Sequence, residues 1–138
     1  VNLSKIKKIG FFDKNFFLYL EEIDLCKRLK NKSEKIYIAR NAKIKHLAAQ
    51  SSDIEFEFDK CRNWHWMWSK VYYNTKHKNF FYALKNAFFI ILFNYIKGTF
   101  FYLFNKKKSI ICFLRASGSF NAIRGKNSWY RPKVNFTN

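Results

Sequence analysis

The most telling shortages in this 138-residue sequence are acid, glycine and proline. Every one of the nine acidic residues lies before residue 60, and from Lys60 to Asn138 there are fifteen Lys and Arg and no Asp or Glu. The first part is therefore close to balance at +3, and the second carries +15. That break in composition implies two regions with different surroundings, divided here as 1–58 and 59–138. The second should seek a polyanion, whether phospholipid headgroups or nucleic acid. Glycine and proline number only four and one, and Phe56 to about His77 has neither, which lets that stretch read as one long helix. Three widely spaced cysteines, Cys26, Cys61 and Cys112, form no C-x-x-C pair, so neither a disulfide framework nor a zinc site is indicated. No charged, apolar and small-residue leader pattern heads the chain. It opens at Val1 without methionine and enters a motif within about ten residues, so it is expected to be a piece of a longer protein.

The periodicity that is present predicts helix over Leu3–Ile9, Phe16 to about Lys30, Phe56 to about His77 and about Ser109 to Arg124. The stripe expected on the second of these is Phe17, Leu20, Ile23 or Leu25, Cys26 and Leu29, with Asp24 and Arg28 forming an exposed pair four residues apart. Lys35–Ala39 and Ala42–Leu47 alternate and are rich in β-formers, which predicts two short strands. Phe80–Phe104 differs in kind, because Phe88 to Phe93 is apolar all the way round and cannot be a simple surface helix. The uncharged run between Lys85 and Lys97 is short of the roughly 20 residues a spanning helix needs. A position in the membrane interface fits better, with Lys106, Lys107 and Lys108 beside anionic headgroups. A contiguous apolar run also argues against nucleic acid as the polyanion.

Chemistry concentrates in Glu21-Glu22-Ile23-Asp24, where three carboxylates follow a run of large apolar side chains. Burial and like-charge crowding both raise the proton affinity of such groups, as a general base requires. On a helix Glu21 and Asp24 share a face while Glu22 points about 100° away, so they divide the work. With Arg28 as the partner of Asp24, the base is Glu22 or Glu21. The bland alternative is a first helical turn whose acids merely favour the dipole. In Arg62-Asn63-Trp64-His65-Trp66-Met67-Trp68, the tryptophans at helical spacing point to core packing, while Arg62 and His65 are candidate contacts to a phosphate.

The run Gly10 to Arg28, followed by Lys35-Ile36-Tyr37, Asn41 to His46 and Gln50-Ser51-Ser52, resembles the second half of the catalytic domain of family 2 glycosyltransferases. It is most similar to the rhamnosyltransferase-like members that build bacterial surface polysaccharides, over about residues 3 to 75. The resemblance implies an α/β fold of the GT-A nucleotide-sugar type, α+β within this chain, followed by a helical membrane-associated tail. It also implies an inverting transfer from a nucleotide-diphospho-sugar to a sugar or lipid-linked acceptor. In the family the second acid of the pair is the general base and falls on Glu22, where Asp is usual. The family's metal-ligating histidine falls on His46, implying a divalent cation, Mg or Mn. Glycines usual after that histidine are Ala48 and Ala49 here. The family's D-x-D motif is absent, so the chain alone is expected neither to bind a nucleotide sugar tightly nor to turn over. A cytoplasmic place, peripheral on the inner membrane face, completes the expectation. The competing readings are a nucleic-acid-binding module and a membrane-anchoring protein without chemistry.

Overall fold

A computed structural model describes residues 3–37, 39–43 and 55–133. Five helices follow in order, α1 Leu3–Ile9, α2 Glu21–Asn31, α3 Glu55–His77, α4 Phe80–Phe104 and α5 Lys106–Ile123. Among the described residues there is no strand, so the fold is all-helical and the α/β expectation is corrected. Alternation specifies which way side chains would point in a strand, but a strand exists only when a second one completes its hydrogen bonds. Lys35 to Tyr37 finds no such partner, and Ile36 and Tyr37 stand exposed. Most of the second expected strand, from Ile44 onward, lies outside the described residues. The division at 58/59 falls inside α3.

The last three helices form one layer of close neighbours. Asn79 caps α4 by accepting from the Tyr82 amide at 2.8 Å. Asn105 alone separates α4 from α5, and its side chain caps the new helix by accepting from Lys108 N at 3.0 Å. The Ser109 hydroxyl donates to the Gly98 carbonyl and Tyr95 meets Phe113, so α5 runs back antiparallel along α4. Arg115 donates to Asn63 and Trp64 to Ser117, which sets α3 parallel to α5. Small residues permit these approaches. A Cβ on Gly118 would stand 2.4 Å from the Trp64 carbonyl oxygen, and one on Gly98 would stand 2.9 Å from the Phe113 ring.

The core lies where α3, α4 and α5 meet, around Trp64, Trp68, Val71, Ala87 and Ala122. Each tryptophan removes of order 200 Å² from water, worth about 5 kcal/mol before entropy. Both indole N–H groups are satisfied, Trp64 by Ser117 Oγ and Trp68 by the Lys126 carbonyl at 2.9 Å. The tail after α5 folds back over this core, with Tyr130 stacked on Trp64.

Helix α4 is the exception to globular patterning. It buries only a stripe of Ala83, Ala87, Asn94 and Gly98 and exposes apolar side chains around the rest of its surface. By length and composition it could cross a membrane, with a mean hydropathy of 1.6 over an 18-residue window of which 17% is buried.

Candidate functional site

The acidic turn begins five residues later than periodicity predicts. Asp13 accepts from the Asn15 amide at 3.0 Å and turns the chain, and Tyr19 and Leu20 then adopt left-handed backbone angles, φ 67° and 68°. Two consecutive non-glycine residues there cost about 1–3 kcal/mol each and need support from their surroundings. The support comes from α3. Ser69 Oγ donates to the Leu18 carbonyl at 2.7 Å, and the Tyr19 ring meets Trp66 edge-on at 5.4 Å. Phe16, expected on the helix, is buried below it against Trp68 and Tyr72. No side chain caps α2, whose first residues are Glu21 and Glu22.

Asp24 is fully buried and saturated with donors. It accepts from Arg28 Nε at 2.8 Å on one oxygen, and from Lys76 Nζ at 2.8 Å and His77 Nε2 at 2.7 Å on the other. The pairing with Arg28 is therefore present, but buried rather than exposed as expected. The rest of the Arg28 guanidinium donates to the carbonyls of Ile9, Gly10 and Phe11, closing the end of α1. Lys76 also reaches Asp13 at 2.7 Å, and Tyr72 donates to the same carboxylate at 3.0 Å. Burial is the largest single influence on Asp24 and pushes its pKa up, but bonds from Lys76, His77 and Arg28 together hold it below the ordinary value. Such a carboxylate is committed to structure.

The two glutamates differ from Asp24 and from each other. Glu22 is exposed and meets no hydrogen-bond or ion-pair partner among the described residues. Glu21 is half-buried, and its Oε2 is sealed from solvent with no donor. Cys26, expected on the buried stripe, is exposed four residues beyond Glu22. Asp24 and Leu25 hold the buried face instead.

Beside this turn Tyr19, Arg62, Asn63 and Trp66 line a shallow cleft of about 290 Å³. Arg62 is exposed there and paired with Asp59. His65, the other residue expected to face a phosphate, is fully buried. Its Nε2 donates to the Tyr130 carbonyl at 2.7 Å, its Nδ1 meets no partner among the described residues, and its ring packs against Phe17 and Trp64. Burial, with Arg131 nearby, depresses its pKa and keeps it neutral. His65 is thus placed in the core, away from any surface phosphate.

No family model, curated protein or solved structure matches the chain. The functional reading rests on the residues themselves. His46 lies outside the described residues, and among the described residues no group of three His, Cys, Asp or Glu is arranged to hold a metal. The participants that sequence reading missed are Lys76, His77, Tyr72 and Asp13. Their available signal was the i, i+4 spacing of Tyr72 and Lys76 at the basic end of α3, whose own acids all lie at the other end.

Proposed function

We propose that this chain belongs to an inverting glycosyltransferase, in which Glu22 removes the proton from an acceptor hydroxyl as that oxygen attacks the anomeric carbon of a nucleotide-diphospho-sugar. The observation that supports it best is the division of labour within one helical turn. Asp24 is consumed by three donors, whereas Glu22, two residues away, is exposed and meets no partner among the described residues, just after Tyr19 and Leu20 are held in left-handed backbone angles. Strain of that kind concentrates where geometry serves chemistry.

In this reading the hydroxyl proton passes to a Glu22 carboxylate oxygen, a new C–O bond forms, and the bond from the anomeric carbon to the diphosphate oxygen breaks with inversion. Glu22 then returns the proton to solvent. The Tyr19–Trp66 pair supplies an apolar wall for a sugar face, and Arg62 supplies positive charge for the departing diphosphate once it exchanges Asp59 for that ligand. Lys76, His77, Asp24 and Arg28 fix the turn against α3 and take no part in proton transfer.

The test is release of nucleoside diphosphate from nucleotide sugars by the whole gene product as the cell makes it. Wild-type protein should turn over, and Glu22→Gln should lose about 10²–10⁴ of the rate while keeping its fold. Near-normal turnover by Glu22→Gln overturns the assignment.

A further inference from the structure

We infer that α4 is the face by which this protein lies on an anionic phospholipid leaflet, with its axis in the plane of the membrane and not across it. The inference is independent of the transfer chemistry proposed above. Outside its buried stripe, α4 leaves Phe81, Phe88, Phe93, Ile96, Phe100 and Leu103 exposed. A groove of about 570 Å³ runs along it, lined from Phe88 to Leu103 with Thr99 as the only residue bearing a side-chain hydroxyl apart from Tyr95. A continuous apolar surface of this extent on a soluble chain marks an interaction site.

Charge decides between a lipid surface and a second copy of the chain. Lys78 precedes α4, Lys106, Lys107 and Lys108 follow it, Lys97 flanks the apolar face and Lys85 lies on it between Phe81 and Phe88, and no acid follows Asp59 to offset them. Two copies joined through α4 would bring these like charges together. A leaflet with phosphate at its boundary does the reverse, since it takes the apolar side chains inward and meets the ammonium groups at its rim. Two of the ammonium groups already meet aromatic surface of α4. Lys78 Nζ stands 3.9 Å from the centre of the Tyr82 ring and Lys97 Nζ stands 4.4 Å from that of Phe93, so both charges sit over exposed rings of the face.

The bundle then fixes the orientation. Length and composition alone would let α4 span, but α3 and α5 are packed alongside it. Met67 of α3 faces Phe89 and Phe93 across a second apolar groove, and Ser109 and Phe113 of α5 hold the Gly98 and Tyr95 end. A perpendicular α4 would carry Arg62, Lys70 and Arg115, which sit midway along those neighbours, to the centre of the bilayer, where charges are costly. A flat α4 immerses its own exposed face and leaves α3 and the acidic turn in water.

Flotation with vesicles of phosphatidylcholine containing about 30% phosphatidylglycerol, set against pure phosphatidylcholine, reads out the charge dependence. The full chain should bind the anionic vesicles about tenfold more tightly, and the preference should shrink in Lys106→Gln/Lys107→Gln/Lys108→Gln. Phe93→Glu/Leu103→Glu, at two exposed positions, should lose binding with its helical circular dichroism unchanged. Oriented circular dichroism of the bound protein should show in-plane helices. Equal binding to both vesicles, retained binding by the glutamate variant, a transbilayer signature, or a dimer in solution abolished by the same glutamates would each overturn the inference.

Discussion

Asp24 shows how one side chain is assigned by its neighbours and not by its sequence position. Three acids lie within four residues, yet only this one is removed from water, and only this one receives Lys76, His77 and Arg28. Removing it leaves three donors, two of them cationic, facing each other without an acceptor. We expect Asp24→Ala to destabilise the fold by about 3–5 kcal/mol, as breaking a buried pair from one side does, whereas Glu22→Ala should stay within about 0.5 kcal/mol. Urea denaturation followed by circular dichroism checks both. The same contacts set a pH dependence. Burial works against the charged forms of Asp13 and Asp24, but the bonds they accept hold both pKa values below 3.8, so the stabilisation is complete above that value and is lost as pH falls through the lower folded values. His65 acts in the same direction at higher pH. Its folded pKa lies below 6.5, so beneath that pH the unfolded chain takes up a proton the buried ring refuses. The urea midpoint should therefore fall in two stages on acidification, and Asp24→Asn should diminish the second stage alone.

At the scale of elements, α3 is the member on which the rest depends. Trp66, Ser69 and Trp68, spread round one half of it, hold Tyr19, Leu18 and Phe16, and its Trp64 carbonyl meets the backbone of α5 at Gly118. The two tight glycines are not equivalent. At Gly118 a methyl would meet the Trp64 carbonyl oxygen, which belongs to a helix backbone and cannot step aside, while at Gly98 it would meet the edge of the Phe113 ring, which can rotate. We expect Gly118→Ala to cost about 1–3 kcal/mol despite the better helix propensity of alanine, and Gly98→Ala distinctly less, as thermal melts of the two variants would show. These elements also mark the limits of reading a sequence. Phe56 to His77 was legible almost to the residue, because an unbroken 3.6-residue pattern without glycine or proline is local information. The start of α2 was not, since the left-handed Tyr19 and Leu20 are held by Ser69 and Trp66 from far along the chain. The same distance hid the burial of Asp24, whose partners Lys76 and His77 arrive from 52 and 53 residues away. The first expected strand is absent from the described residues for the complementary reason, because alternation from Lys35 is local while a ladder is not.

For the whole molecule, the position of α3 between the acidic turn and α4 carries a consequence for access. Ser69 and Lys76 point toward the turn, whereas Met67 points toward Phe89 and Phe93 on α4, and two residues along a helix is about 200° of rotation. The turn and α4 therefore lie on opposite sides of α3. In the proposed membrane orientation the width of α3, about 10 Å, therefore stands between the turn that carries Glu22 and the leaflet. In the proposed reading, an acceptor anchored in that leaflet would have to present its hydroxyl above the headgroups, on the far side of α3. Cys26 reports on this directly, because it is exposed on α2 one turn beyond Glu22, while Cys61 and Cys112 are buried. A membrane-impermeant maleimide should modify Cys26 of vesicle-bound protein within about twofold of the free rate, since bound amphipathic helices sink only about 5–10 Å. Phe93→Cys in a Cys26→Ser background should be protected by about tenfold or more under the same conditions. Equal protection at both positions would place the acidic turn against lipid and reverse the orientation of the bundle.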